Sequence, residues 1–245
     1  MLQMIVTPQI IEVTPLTQSE FGIFGCVVEN PTTANSNGSS TDNPALCPQP
    51  LPANQGTALK YPNISTMEDL YKHAPQHRES KPTMNIFVCS PRPLISINNQ
   101  DYPTSPSKSS SAGFLDLSIM ERHPYTTQTF IPLGLDPRDT STAYLVVVAP
   151  NIPSLSEDAG LPDTVKTRAF LARGSQAVTY GAGTWHAPMI VLGGKAVVFV
   201  AVQHVNGNPR DDCEEINIIC TQHRGLRLRI PFITKSFHKS FISKL

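Results

Sequence analysis

Proline, more than any other residue, restricts the folds open to this chain, because it occurs 23 times in 245 residues. A proline inside a helix removes a hydrogen bond and collides with the preceding turn, so long helices do not fit this spacing. Short segments rich in Val, Ile, Phe, Tyr and Thr lie between turn residues, which is typical of β-strands. Examples are TMNIFVCS, GFLDLSIMER, TQTFIPLGL, TAYLVVVAP, QAVTYGAGTW, MIVLGG and KAVVFVAVQHV. The sequence therefore predicts a mostly β fold, a sandwich or a barrel, in one domain.

Two segments have helical features. Residues 65–74 would form one or two turns, with Ser65 as the N-cap and Glu68 completing a capping box. Residues 161–174 would form a second short helix, capped by Asp163 and ended by Gly174. We expect only a few short helices beside the strands.

Two polar stretches interrupt the predicted domain, which spans residues 1–220. Residues 30–53 and 99–112 are rich in Asn, Ser, Thr and Pro and contain few apolar residues. Such segments bury too little apolar surface to order themselves, so we expect flexible surface insertions. A basic extension, residues 221–245, follows the domain, and its stretch RLRIPFI alternates like a spare edge strand.

Charge and cysteine content narrow the class of protein. Basic and acidic residues number 19 each, and this balance argues against a nucleic-acid partner and favours a small polar ligand. No apolar run approaches the roughly 20 residues of a membrane span, and the N-terminus lacks the basic stretch of a signal peptide. The cysteines are scattered without metal-ligand spacing, which indicates reduced thiols in an intracellular protein: Cys26, Cys47, Cys89, Cys213 and Cys220.

Two polar segments carry most of the candidate chemistry. ERHPYTTQTFIPLG, residues 121–134, has strand length, yet it places acid, cation, imidazole and amide side by side. GSQAVTYGAGTWHAPM, residues 174–189, is the second. Together they read Glu-x-His-x4-Gln and Gly-x5-Tyr-x2-Gly-x2-His, which resembles the two-part signature of cupin barrels. The resemblance implies a cupin-like β-barrel of the double-stranded β-helix type, with polar side chains at the barrel mouth.

A narrower resemblance covers residues 21–216 apart from the two insertions. The segments ERHPYTTQTFIPLG, YLVVVAP, LPDTVKTRAFLARGSQAVTYGAGTWHAPM and NPRDDCEEI, in that order, resemble the ureidoglycolate lyases, formerly called ureidoglycolate hydrolases. Upstream, EFGIFGCVVE and NQGTALKY resemble two further segments of that family, with Lys60 in place of an arginine. The chain is similar to a fungal member with inserted loops.

The resemblance implies an enzyme of allantoin breakdown, part of purine catabolism, and a homodimer. Its substrate would be (S)-ureidoglycolate, cleaved to glyoxylate and urea. This elimination needs a cation for the carboxylate, a base for the hydroxyl and an acid for the departing nitrogen. On this interpretation the catalytic residues are His123, His186 and Glu121, and the substrate-binding residues are Arg122, Lys60, Asn54, Gln128, Tyr180 and Thr184.

Several of these assignments leave alternatives open. Arg122 lies on the opposite side of an ideal strand from Glu121 and His123, so it either binds the carboxylate through a bulge or forms a structural ion pair or dimer contact. Gln128 joins the site only if the chain kinks at Thr126 or Thr127. The acidic run DDCEE, residues 211–215, either closes the pocket or is a solvated rim.

The same polar residues also form a candidate ligand set for a metal ion. The residues Glu121, His123, Gln128 and His186 suit a divalent ion such as Ni, Mn or Zn by ligand type. Elimination of urea needs only a proton on the leaving group, so we expect no obligatory cofactor.

Two other functions are compatible with the sequence. One is a metal-dependent amidohydrolase that acts on ureidoglycolate and releases ammonia. The other is a non-catalytic cupin-like protein that binds a small carboxylate, since one fold hosts many functions. The chain also ends in Ser243-Lys244-Leu245, a peroxisomal address, which predicts a peroxisomal import receptor as partner; the alternative location is the cytoplasm.

Overall fold

A computed structural model describes residues 2–31, 49–96, 112–136, 143–153, 160–220 and 225–231. The described α-helices have four residues each, α1 (Gln18–Phe21) and α2 (Pro209–Asp212), and short 3-10 turns lie at Asn54–Gly56, Tyr71–His73 and Thr164–Lys166. None of the described helices is long and apolar enough to cross a membrane. The remaining elements are strands, which are β1 (Leu2–Val6), β2 (Gln9–Pro15), β3 (Gly25–Val28), β4 (Leu51–Ala53), β5 (Ala58–Lys60), β6 (Lys81–Cys89), β7 (Ile95–Ser96), β8 (Ala112–Leu117), β9 (Ile119–Arg122), β10 (Gln128–Leu133), β11 (Ala143–Ala149), β12 (Arg168–Ala172), β13 (Ala177–Tyr180), β14 (Trp185–His186), β15 (Ile190–Leu192), β16 (Val197–Val205), β17 (Glu214–Cys220) and β18 (Leu226–Pro231).

The strands form two sheets and a separate hairpin. The larger sheet has the order β1-β17-β9-β14-β11-β12-β2-β18-β8-β7, with β15 also paired to β11. The smaller sheet has the order β3-β13-β10-β16-β6, and β4 pairs with β5 alone. The larger sheet curls into a half-barrel, which confirms the predicted mostly β, cupin-like barrel.

The central strand β11 contributes side chains to both hydrophobic cores of the protein. All seven residues of AYLVVVA are buried, as expected for a continuous apolar run covered on both faces. Leu145, Val147 and Ala149 belong to the core inside the curled larger sheet. Tyr144 and Val146 belong to the core between the larger and smaller sheets. Since successive strand residues point to opposite faces, one strand anchors both cores.

The two helix predictions are wrong in most of their length. In residues 65–74 only Tyr71–His73 forms a 3-10 turn, and the Ser65 hydroxyl donates to Thr179 instead of capping a helix. In residues 161–174 a 3-10 turn at Thr164–Lys166 is followed by β12. Strand β12 pairs with β11 and β2, which satisfies the backbone hydrogen bonds of β12 and buries its apolar residues. These contributions outweigh the local helix propensity.

The predicted C-terminal extension contributes a strand to the larger sheet. Its residues 225–231 contain β18, which lies between β2 and β8 and buries Leu226, Leu228 and Ile230. The alternation of RLRIPFI thus predicted a strand correctly, but the strand is paired on both sides and is not an edge. The predicted insertions, residues 30–53 and 99–112, lie mostly outside the described residues, but Leu51–Ala53 forms β4 and Ala112 begins β8. Residues 221–224 and 232–245 of the extension, which include Ser243-Lys244-Leu245, also lie outside the described residues.

Candidate active site

Glu121 is the geometric centre of the polar cluster. It lies on β9, directly opposite His186 of β14 on one side and opposite Glu215 of β17 on the other. Its carboxylate Oε1 is 3.6 Å from His186 Nε2. The side chains of Glu121, His123 and His186 bring potential metal-ligating atoms within 4.8 Å of one another. The structure therefore brings together the three residues predicted to be catalytic.

His123 follows the end of β9 and is buried. Its Nδ1 lies 2.6 Å from the backbone oxygen of Asp212. Because a carbonyl oxygen only accepts hydrogen bonds, Nδ1 carries a proton and donates. The other ring nitrogen, Nε2, is buried and has no hydrogen-bond partner among the described residues. A neutral His123 thus presents an unshared lone pair to the cluster.

His186 has acceptors at both ring nitrogens. Nδ1 lies 2.9 Å from the carbonyl oxygen of Thr184, and Nε2 lies 3.1 Å from Oε1 of Gln128. The ring of Tyr180 stacks on the imidazole with 4.0 Å between centroids and 11° between planes. Two acceptors, a nearby carboxylate and an aromatic face all suit a ring that carries a proton on each nitrogen.

Gln128 reaches the site because the chain changes sheets before it. Residues 123–127 form a turn that connects β9 of the larger sheet to β10 of the smaller sheet. Gln128 Nε2 donates to Oε1 of Gln203 on β16 at 2.6 Å, which leaves Gln128 Oε1 for His186. Gln203 was missed at the sequence level. Its only signal was its strand register opposite Gln128, which a single sequence does not give.

Burial and mutual charge shift the pKa values in this cluster. Burial lowers the pKa of His123, and the positive charge of His186 lowers it further, which favours the neutral ring. Burial opposes ionisation of Glu121, but the nearby imidazole of His186 and its charge outweigh burial and lower the Glu121 pKa. Burial also raises the pKa of Tyr180 well above its ordinary value, so its hydroxyl stays protonated.

Arg122 points away from the cluster and binds protein groups. Its guanidinium donates to Glu214 at 2.8 Å, to the side chain of Asn151 at 2.6 Å and to the carbonyl oxygen of Gly160 at 2.7 Å. It also lies 4.8 Å from the ring centroid of Trp185. Of the two interpretations left open by the sequence, this geometry favours the structural ion pair.

The other predicted substrate ligands divide into two groups. Tyr180 stacks on His186, and its buried hydroxyl has no partner among the described residues. Thr184 donates its hydroxyl to the carbonyl oxygen of Phe24, so that group supports the fold. Lys60 and Asn54 lie on the β4–β5 hairpin and its connecting turn, and no described hydrogen bond or ion pair joins them to the cluster. Their roles stay predictions.

The acidic run at residues 211–215 lines the cluster. The Asp212 carbonyl oxygen accepts from His123, and the side chains of Cys213 and Glu215 lie within 4.8 Å of Glu121. Burial, followed by the charges of Glu121 and Glu215, raises the pKa of Cys213 to about 12, so the thiol stays protonated. The run therefore lies against the cluster through Asp212, Cys213 and Glu215, and its pocket-closing role stays a prediction.

The donor set fits a divalent metal ion. Metal-binding histidines commonly donate one ring N–H to a carbonyl and keep the other nitrogen for the ion. His123 has this arrangement, with Nδ1 bound to Asp212 and Nε2 buried without a partner among the described residues. Glu121 supplies a second ligand atom, and His186 supplies a third once its Nε2 has lost its proton, with Gln128 beside it.

Comparisons with known proteins agree with the motifs. Residues 8–222 match the family model described as ureidoglycolate lyase. A protein of Schizosaccharomyces pombe named ureidoglycolate lyase is 35% identical over 199 residues, which cover 81% of this chain and 86% of that protein. One of Saccharomyces cerevisiae with the same name is 40% identical over 141 residues, or 58% of this chain and 62% of its own length. A third, from Burkholderia mallei, is 30% identical over 183 residues, covering 75% and 76%. With its family model matched along most of its length, the chain belongs to the ureidoglycolate lyase family.

Proposed function

We propose that this chain is a ureidoglycolate lyase that eliminates urea from (S)-ureidoglycolate and leaves glyoxylate. The observation that carries the proposal is the contrast between its two histidines. His123 Nε2 has no hydrogen-bond partner in the described part of the chain, whereas His186 has acceptors at both ring nitrogens. The His123 ring is thus prepared to accept a proton and the His186 ring to donate one. The centroids of the two rings are 5.6 Å apart.

The elimination follows from these two states. His123 Nε2 takes the proton of the substrate hydroxyl, and the oxygen forms a carbonyl bond to the central carbon. The bond between that carbon and the ureido nitrogen breaks, and its electron pair stays on nitrogen. His186 Nε2 gives its proton to that nitrogen, so urea leaves as a neutral molecule and glyoxylate remains.

Glu121 places a negative charge 3.6 Å from His186 Nε2 in this scheme. Its lowered pKa keeps the carboxylate ionised beside the imidazolium. After one turnover His123 carries the extra proton and His186 lacks one, and Glu121 lies near both rings. Proton return between the two histidines then resets the site.

For the substrate carboxylate, Lys60 and Asn54 remain the proposed ligands. Tyr180, which stacks on His186, is the proposed hydrogen-bond donor to the substrate, because its buried hydroxyl needs an acceptor. Arg122 is not part of this proposal, since Glu214, Asn151 and Gly160 occupy its donors.

A divalent ion, if bound, would be held by Glu121, His123 and His186 with Gln128 beside them. It would supply Lewis-acid chemistry and an activated water. That chemistry is needed for the alternative amidohydrolase, which attacks the ureido carbonyl and releases ammonia. The lyase needs only the two proton transfers described above.

We also propose a homodimer joined through the outer face of the smaller sheet. Met84, Ile86 and Val88 on the edge strand β6 are between 59% and 71% exposed. Beside them on the same face lie Ile131 and Leu133, also exposed. Among the described strands β6 has no neighbour on its outer edge. A contiguous apolar patch beside such an edge is typical of an interface, and a second copy of the chain is the proposed occupant.

Product analysis tests the proposed function. The purified protein is incubated with freshly prepared ureidoglycolate, with and without chelator, and glyoxylate, urea and ammonia are measured together. We expect glyoxylate and urea in equal amounts whether or not chelator is present. Glyoxylate with ammonia, lost on chelation, would show a metal-dependent amidohydrolase, and binding without turnover would show a carboxylate-binding protein.

A further inference from the structure

Asp212, the last residue of α2, is held by donors from three positions in the chain. Its Oδ1 accepts from the Tyr71 hydroxyl at 2.7 Å and from the Asn206 backbone N–H at 2.8 Å. Its Oδ2 accepts from the Gly207 backbone N–H at 3.0 Å. With both carboxylate oxygens bound, the side chain fixes the position of this residue just before β17.

The backbone of Asp212 connects this fixed position to the active site. Its carbonyl oxygen accepts from His123 Nδ1 at 2.6 Å. A neutral imidazole has one N–H and one lone pair, so a proton fixed on Nδ1 leaves the lone pair on Nε2. The position of one carbonyl oxygen therefore decides which ring nitrogen of His123 is available to a substrate.

Tyr71 reaches Asp212 from a segment that is anchored to the site. Tyr71 begins a 3-10 turn, and the preceding residue, Leu70, donates its backbone N–H to the carbonyl oxygen of Tyr125 at 2.7 Å. The Tyr71 ring is buried and lies 5.8 Å from the ring of Tyr125. Burial, reinforced by the Asp212 carboxylate, raises the pKa of Tyr71 well above its ordinary value, so the phenol remains a donor.

We propose that Tyr71 and Asp212 are positioning residues: they hold the Asp212 carbonyl oxygen against His123 Nδ1 and thereby keep the ring hydrogen on Nδ1 and the lone pair on Nε2. Neither residue contacts the reacting atoms in this proposal. Its catalytic consequence rests on the proposed lyase function, whereas the choice of ring nitrogen is a property of the protein alone. Residues 68–71 are thereby tied to the active site, although they carry no motif of proton-transfer chemistry.

The test compares three variants by spectroscopy and by kinetics. Tyr71→Phe removes only the hydroxyl, and Asp212→Asn removes the charge but retains the backbone carbonyl. Tyr144→Phe is the matched control, because Tyr144 is another buried phenol, bound to the carbonyl oxygen of Gln176 in the core between the sheets. The 15N chemical shifts of histidine-labelled full-length protein report which ring nitrogen bears hydrogen, and a His123→Gln spectrum assigns the His123 signals.

In the unmodified protein and in Tyr144→Phe we expect a single His123 form with hydrogen on Nδ1. Tyr71→Phe and Asp212→Asn should show both forms, with kcat lowered about tenfold and KM changed by less than about twofold. A single Nδ1–H form in both variants would overturn the proposal. If the unmodified protein does not turn over ureidoglycolate, the proposed function fails. The spectra still decide whether Tyr71 and Asp212 determine which ring nitrogen of His123 bears hydrogen.

Discussion

Glu121 and His186 are direct cross-strand partners on β9 and β14, with the carboxylate Oε1 3.6 Å from the imidazole Nε2. The His186 side chain is 1% exposed and that of Glu121 is 20% exposed, so water screens their interaction weakly. This register also places Glu121 opposite Glu215 on β17. One glutamate thus connects the histidine pair with the acidic run at the start of β17.

Replacement of Glu121 by Gln should lower kcat/KM about 100-fold while the protein stays folded. The amide retains the size and position of the side chain, but it removes the negative charge that stabilises a protonated His186. Steady-state rates of glyoxylate release measure the loss, and circular dichroism checks the fold.

The matched control is Glu12→Gln, which alters a carboxylate paired with Arg229 on the exposed surface. This variant should keep the unmodified rate. Equal activity of Glu121→Gln and Glu12→Gln would remove Glu121 from the mechanism.

Arg122→Lys should destabilise the protein without changing KM. Lysine cannot reproduce the planar fork that binds Glu214, Asn151 and Gly160 together. Loss of these hydrogen bonds should lower the free energy of unfolding by about 2 kcal/mol. Urea unfolding measures the change, and substrate titration gives KM.

A tenfold rise in KM with unchanged stability would instead show that Arg122 binds the substrate carboxylate. The comparison variant is Arg210→Lys, an exposed arginine in α2, which should alter neither quantity.

The sequence predicted the composition of the site better than its geometry. The order of the motifs was sufficient to identify the family and to predict that Glu121, His123 and His186 lie together. Strand alternation correctly separated Arg122 from its two neighbours, because β9 remains regular through that residue. Local pattern is informative wherever a residue lies inside one regular strand.

Alternation failed at Gln128 because it describes only one strand at a time. The turn before Gln128 moves the chain from one sheet to the other, so its side chain approaches His186 from the facing layer. Tyr71 and Gln203 were missed for a related reason. Their partners, Asp212 and Gln128, are 141 and 75 residues distant in sequence, and only the tertiary fold brings them together.

Ile86→Glu should convert the proposed dimer to monomers. Ile86 lies in the middle of β6 and points to the outer face of the smaller sheet, where it is 59% exposed. A carboxylate buried there in a dimer would lack a partner, whereas in a monomer it is solvated. Light scattering coupled to gel filtration measures the mass.

Val165→Glu is the control, since Val165 is 72% exposed outside this face. It should leave the mass unchanged. A monomeric unmodified protein, or a dimer that survives Ile86→Glu, would contradict the proposed interface.

Acidification should destabilise the protein in two stages, through His123 and then Glu121. The pKa of His123 is lowered in the folded state from an ordinary value of 6.5, so below that pH the unfolded chain binds more protons than the folded one. Stability therefore falls as the pH drops from about 6.5 toward the lower folded value. Glu121 is also shifted downward, from 4.5, so its contribution is lost as the pH falls further, through its folded value.

Urea unfolding at a series of pH values between 8 and 4 measures this slope. His123→Gln should flatten the first stage, which begins near pH 6.5, and leave the second in place. His73→Gln, at an exposed histidine of the 3-10 turn, should retain both stages. If His123→Gln keeps the full loss of stability below pH 6.5, burial of a neutral His123 is not its source, and the assignment of His123 as the base loses its electrostatic support.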